Sequence, residues 1–261
     1  MSKSAESGNL DEYRWLVSSE AEPWLERAAE ANDDPQSLLT TTVSLRRDLG
    51  TARTHLVIAQ AQLRRRAKVK FSRASRLFFT RQLLEQATDE QIAEYKALRF
   101  PQEGEVADLC CGIGGDLMAL GRRGLASGVD RDQVAAVLAD ANCRALELNA
   151  TAVRVDDAAS VPLTDFAAWH LDPDRRPEGR RTTRLDLHEP DLPTMEKLLS
   201  TSGQGAIKLA PAAGVPEDWQ KSAELEWIGN RGECRQQMAW FGDLAQHPGQ
   251  HAARGADHYR S

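Results

Sequence analysis

The run Ala107–Gly121, ADLCCGIGGDLMALG, constrains the fold of this chain more than any other stretch. Val106, Ala107 and Leu109 suit a buried strand, with Asp108 set among them. Gly112, Gly114 and Gly115 permit tight backbone geometry and close approach of a ligand. Leu117, Met118 and Leu120 then recur at helical spacing. Free N–H groups at such a helix start favour polar or anionic ligand atoms. The stretch therefore predicts a strand, a glycine-rich turn and a helix around a nucleotide-sized pocket.

The rest of the chain divides around this motif. Apolar residues recur at helical spacing in Leu10–Val17, Pro23–Ala31, Val43–Leu63 and Arg76–Leu98, so residues 1–100 are expected to form a helical domain. Asp34 is a candidate cap before Pro35, and Thr88 with Gln91 resembles a capping box. Pro101 and Gly104 mark a boundary. Strands are predicted at 105–110, 126–130, 152–155, 167–172 and 205–210, with helices at 114–123, 131–143 and 190–200. This alternation predicts a parallel sheet covered by helices. Ala223–Gly229 and Cys234–Phe241 then read as two strands joined at Asn230-Arg231-Gly232, an antiparallel hairpin. Residues 243–261, rich in Gln, His, Gly and Ala, read as a disordered tail.

Two cofactor classes use a strand, a glycine loop and a helix in succession: dinucleotides and S-adenosylmethionine. The dinucleotide fingerprint G-x-G-x-x-G places its third glycine on Leu117, so it fails at the helix-packing position. Acids instead end the successive strands. Asp130 closes ASGVD, where a carboxylate can accept both ribose hydroxyl protons. Asp156 and Asp157 follow AVRV, where either can meet an adenine amino group. Asp172-Pro173 follows AAWHL, and the C-terminal ends of parallel strands form the ligand crevice.

This order resembles the class I S-adenosylmethionine-dependent methyltransferases over about residues 104–242. The resemblance implies an α/β, Rossmann-like sheet closed by an antiparallel hairpin, behind an N-terminal helical domain. It implies S-adenosylmethionine as cofactor, held by Asp108, Cys110, Gly112, Gly114 and Asp116 of the first motif, by Asp130 at the ribose and by Asp156 or Asp157 at the adenine. Asp172 matches the first position of the D/N-P-P-aromatic motif of amino-group methyltransferases, although Asp174, Arg175 and Arg176 follow Pro173 where that motif has proline and an aromatic. Asp172, Pro173 and Arg175 are the expected catalytic residues. DLCCGIGGD also resembles the RNA cap guanine-N2 (trimethylguanosine synthase-like) group. LEQATDEQIAEYKALRF, IKLAP and ELEWIG resemble bacterial methyltransferases that continue into a THUMP-like domain linked to RNA modification.

RNA is the expected acceptor on charge grounds also. The chain carries a net charge of −6, yet residues 64–81 hold eight basic side chains and no acid. Arg64, Arg65, Arg66, Lys68, Lys70 and Arg73 are expected to grip phosphate. Arg180, Arg181 and Arg184 could add to this beside the crevice. Lys208 is expected as a rim lysine, and Trp219, Trp227 and Trp240 as core. Cys110, Cys111, Cys143 and Cys234 form no C-x-x-C pair, and a metal site is not expected. No apolar run or leader pattern suggests a membrane or secreted protein, so a cytoplasmic location is expected. Two other readings are a catalytically degenerate relative that binds cofactor or nucleic acid, and a nicotinamide oxidoreductase.

Overall fold

The computed structural model describes residues 10–30, 35–175 and 182–256. Five helices come first: α1 (Leu10–Leu16), α2 (Glu22–Glu30), α3 (Pro35–Ala67), α4 (Arg81–Gln86) and α5 (Glu90–Ala97). α3 breaks at Gly50, whose φ of 72° lies in the left-handed region. Then follow β1 (Val106–Leu109), α6 (Gly115–Gly121), β2 (Ala126–Asp130), α7 (Gln133–Ala145), β3 (Thr151–Val155), β4 (Ala168–Leu171), α8 (Leu192–Thr201), β5 (Gly205–Leu209), α9 (Glu217–Ser222), β6 (Glu224–Asn230), β7 (Glu233–Trp240) and β8 (His251–Gly255). Asp34 lies outside the described residues.

The eight strands form one sheet in the order β3-β2-β1-β4-β5-β7-β6-β8. β3, β2, β1, β4 and β5 run parallel, β7 runs antiparallel to β5 and β6, and β8 returns parallel to β6. The expected parallel sheet and closing hairpin are both present. β8 corrects the expected tail over 243–261. His251–Gly255 pairs with Leu225–Gly229 through main-chain groups, which composition does not encode. Residues 257–261 lie outside the described residues.

Alternation along the strands builds a core on each face. Val106, Ala168, Ala206, Met238 and Trp240 point to one side, where they join Leu117 and Leu138 with Tyr13, Leu45, Ile92 and Tyr95. Ala107, Leu109, Leu171, Ile207 and Ala239 point to the other, against Met195, Leu198 and Trp219. The helical segment thus shares its apolar core with α6, α7 and the sheet. Gly128 of β2 is needed for this packing: a Cβ there would lie 2.6 Å from Leu117 Cδ2.

A buried ionic cluster fixes α5 and its C-terminal turn to the hairpin. Arg99 donates to Glu224 Oε1 and Oε2 at 2.6 and 2.9 Å and lies 3.5 Å from Glu226. Tyr95 donates to Glu226 Oε1, and Trp240 Nε1 donates to Glu226 Oε2 at 2.8 Å. Burial pushes the Glu224 carboxyl up, but Arg99 and the His247 N–H outweigh this and hold it below the ordinary 4.5. The stability this depression contributes is therefore full above the unfolded value and is lost as pH falls through the lower folded one. Replacing Arg99 with Met leaves the buried Glu224 without its cation and is expected to cost about 3 kcal/mol at neutral pH. Urea unfolding followed by tryptophan fluorescence measures this; the difference from wild type should shrink once Glu224 is protonated, and an unchanged midpoint would contradict the assignment.

Candidate active site

The glycine loop follows β1 with three left-handed residues in five: Cys110 at φ 58°, Gly112 at 56° and Gly114 at 82°. Gly114 caps α6, and its N–H closes the turn on the Cys111 carbonyl at 2.8 Å. No atom lies within 4 Å of a Cβ built on Gly112, so that position opens onto free space. Asp130 anchors the loop from the end of β2. Its Oδ2 accepts from Gly112 N–H at 2.8 Å, and its Oδ1 accepts from Asp132 N–H at 2.9 Å. Burial lifts the Asp130 carboxyl above its ordinary value against those two bonds.

Asp156 follows β3 and is hydrogen-bonded through its N–H to the Asp130 carbonyl at 3.2 Å. Its side chain is half-buried, and Val155 before it is 51% exposed. Asp157 is exposed and caps the short turn at Ala158–Ser160 by accepting from Ala159 N–H. Asp172 adjoins the same loop across the strands: its N–H donates to the Leu109 carbonyl at 3.2 Å. Asp130, Asp156 and Asp172 therefore line one edge of the sheet around the loop.

Asp108 and Asp116 lie elsewhere. Both are buried and turned toward the helical layer, where they belong to a continuous polar chain. Asp108 Oδ1 meets His170 Nδ1 at 2.7 Å, and His170 Nε2 meets Lys96 Nζ at 3.2 Å. Lys96 Nζ pairs with Asp116 Oδ1 at 2.7 Å, and Asp116 Oδ2 accepts from Thr88 Oγ1 at 2.7 Å. Lys208 Nζ donates to Thr88 Oγ1 at 2.9 Å and to Asp172 Oδ2 at 2.5 Å. Burial alone would raise the Asp116 carboxyl, but Lys96, His170 and Lys208 hold it well below the usual carboxylate range. Burial pulls the Lys96 ammonium down, opposed by Asp116.

No protein-family model matches the chain. Two uncharacterized S-adenosylmethionine-dependent methyltransferases from two strains of Mycobacterium tuberculosis are each 33% identical to it over 193 residues. That match covers 70% of this chain and 52% of theirs, so the chain spans about half the length of the curated relatives it matches. A crystal structure described as a "putative methyltransferase" from Porphyromonas gingivalis superposes with a TM-score of 0.64 at 22% identity, over 89% of this chain and 57% of that one. This is a class I methyltransferase fold.

Within that fold the predicted site residues separate into two groups. Cys110, Gly112, Gly114, Asp130, Asp156 and Asp172 lie in the glycine loop or at the C-terminal ends of the parallel strands beside it, whereas Asp108 and Asp116 are buried toward the helical layer. Burial pushes the Cys110 thiol well above its ordinary value, which suits packing and not a nucleophile. Pro173 is buried and Arg175 half-exposed. Asp172 pairs with Lys208 and not with Arg175, and Lys208 is buried and not on the rim. Asp174 accepts from Gln86 Nε2 at 3.3 Å. Arg176, Arg180 and Arg181 lie outside the described residues, and the exposed Arg184 pairs with Asp186.

Two further expectations change. Asp89, not Thr88, caps α5 by accepting from Gln91 N–H, which frees Thr88 for the polar chain. The basic stripe narrows as well. Arg64 donates to the Leu77 carbonyl at 2.9 Å and lies over the Phe78 ring, and Lys70 donates to the carbonyls of Leu84, Glu85 and Ala87. Arg65 is half-buried, while Arg66, Lys68 and Arg73 remain exposed. Sequence reasoning missed Thr88, Lys96, His170 and Gln86; the one available signal was Lys96, charged within the apolar run Ile92–Ala97. Among the described residues no cluster is arranged to hold a metal ion, and no helix is long and apolar enough to cross a membrane.

Charge-assisted hydrogen bonds contribute about 1.5–3 kcal/mol each, so Asp130→Ala should loosen the loop locally. Amide hydrogen exchange at Gly112 and Asp132 is expected to quicken about tenfold or more, with strand amides at Val106 and Ala107 unaffected. Unchanged exchange at Gly112 would mean that the loop holds its shape without the carboxylate.

Proposed function

We propose that this chain is an S-adenosylmethionine-dependent methyltransferase acting on RNA, with a base amino group as acceptor. The observation that carries this reading is Asp172, a partly exposed carboxylate beside the glycine loop, held by a buried lysine. The two Mycobacterium tuberculosis relatives carry the cofactor in their names. The residues fit that cofactor: the open space at Gly112, the half-buried Asp130 and the exposed Val155 beside Asp156 together suit a nucleoside. Asp130 would accept from the ribose hydroxyls, Asp156 would meet the adenine amino group, and Val155 would offer an apolar contact to the ring. Asp157, already used as a cap, is left outside this set.

The bound cofactor supplies a methyl group already activated on a sulfonium. The protein's task is then alignment, which is worth up to about 7–11 kcal/mol in well-oriented systems. Asp172 accepts a hydrogen bond from the acceptor N–H and favours the positive charge that develops on nitrogen. The likeness of DLCCGIGGD to the cap guanine-N2 group supports a base nitrogen, and the likeness to THUMP-linked proteins supports RNA. Arg66, Lys68 and Arg73, exposed where Arg64 and Lys70 are not, serve phosphate contacts. A second reading, cofactor binding without turnover, draws on the absence of an aromatic after Asp172-Pro173.

Isothermal titration with S-adenosylhomocysteine should give saturable heat, and transfer of labelled methyl into total cellular RNA should be lost in Asp172→Ala. Cofactor binding with no incorporation by wild type would favour the second reading. Reversing charge at Arg66, Lys68 and Arg73 should weaken RNA binding evenly across sequences and reduce the log–log salt slope by about 2. An unaltered slope would remove these residues from the interface.

A further inference from the structure

Among the described residues the Asp172 carboxylate is held through one oxygen. Its Oδ2 takes a 2.5 Å bond from Lys208, whose side chain is 5% exposed while that of Asp172 is 24% exposed. No hydrogen bond to a described residue is seen at Oδ1, the other carboxylate oxygen. Lys208 is held in turn by Thr88 at 2.9 Å. The direction of each bond is fixed by chemistry. An ammonium only donates, so the Thr88 oxygen accepts from Lys208; an ionised carboxylate only accepts, so the Thr88 hydroxyl proton goes to Asp116. Thr88 therefore spends its proton and a lone pair in one defined orientation. Asp116 sits in the first turn of α6, directly after the glycine loop. Thr88 is itself seated there by close contact, since a Cβ on Gly115 would lie 3.3 Å from Thr88 N and 3.4 Å from Thr88 O.

We propose that Lys208 and Thr88 are positioning residues that hold the Asp172 carboxylate in one orientation toward the methyl-transfer position and couple that orientation to the helix start behind the glycine loop. The inference rests on the cofactor reading above. Neither residue touches the reacting atoms; they act through Asp172. Lys208 removes the rotational freedom of an aspartate at a strand end, and Thr88 removes that of Lys208. With Oδ2 engaged, Oδ1 is the oxygen that would be left to meet a bound amine. Charge alone would act in the opposite sense, because removing the lysine makes the site more negative and strengthens its attraction for a cation.

The opposed signs give the test. Sinefungin carries an amine near the position of the transferred methyl, whereas S-adenosylhomocysteine carries neither, so their affinity ratio reports on Asp172 without any acceptor. Titration of both into the full chain should show sinefungin favoured at least fivefold, and Asp172→Asn should abolish that preference. Lys208→Met should lower the preference at least threefold, with S-adenosylhomocysteine binding kept within twofold, and Lys208→Arg should restore it. Thr88→Val should lower it in the same direction and Thr88→Ser preserve it. The threonine pair keeps the test open if Lys208→Met does not fold, which thermal melting reports. A preference unchanged or increased in Lys208→Met or Thr88→Val overturns the proposal, as does equal binding of the two compounds to wild type. Failure of both compounds to bind wild type overturns instead the cofactor reading on which it stands.

Discussion

The Lys96–Asp116 ion pair is the contact on which the arrangement of this protein turns. Its two side chains are 2% and 8% exposed, and the charged atoms meet at 2.7 Å. Burying such ions costs several kcal/mol each, and their attraction recovers that only with good geometry and further hydrogen bonds. Those bonds are present: His170 stands on the far side of Lys96, and Thr88 completes Asp116. A well-packed apolar pair could match such a cluster in stability. What the ionic version adds is position. It sets one rotation of α5 against one placement of the α6 start, and so fixes the inner wall of the glycine loop.

α5 carries a second anchor toward the opposite end of the sheet. Tyr95 lies next to Lys96 in sequence, and Arg99 lies one turn further on; both engage Glu226, and Arg99 also holds Glu224. Glu226 in turn takes Trp240 of β7 and Arg254 of β8. A single short helix with its last turn thus joins the loop side of the sheet to the hairpin side. This joins the crevice edge to strands that reach no part of the glycine loop themselves.

The sequence reveals the parts of this design that depend on local pattern. Short strand-like runs alternating with helical patterns mark the five parallel strands, and Asn230-Arg231-Gly232 marks the turn of the hairpin. Acids at strand ends could be read because a parallel sheet sends every C-terminal end to one edge. What stayed hidden depends on partners distant in the chain. Thr88 is 120 residues from Lys208, and Asp108 is 62 residues from His170. Asp108 and Asp116 sit in the loop motif, but which way a carboxylate turns depends on where a cation waits, and Lys96 belongs to another element. Lys70 shows the converse error. Within a run of basic residues it resembles a phosphate ligand, yet three main-chain carbonyls around the end of α4 take its ammonium. β8 was invisible because an exposed strand edge recruits backbone groups, for which His251–Gly255 needed no alternating pattern.

The surroundings of Asp172 and Asp174 come from two parts of the chain. The sheet supplies Asp172 and Lys208; the turn between α4 and α5 supplies Gln86 and Thr88, with Lys70 holding that turn in place. Residues 104–242 alone would keep the glycine loop, Asp130 and Asp156, but would leave Asp116 without Lys96 and Lys208 without Thr88. The helical segment is therefore a structural part of the surroundings of Asp116 and Lys208. Through Gln86 it also reaches Asp174, which stands where the amino-group methyltransferase motif has its second proline. In the function proposed above, selection of the acceptor would fall to side chains outside the glycine-loop motif, because Gln86 and Thr88 reach Asp174 and Lys208 while Asp130 holds the loop from β2.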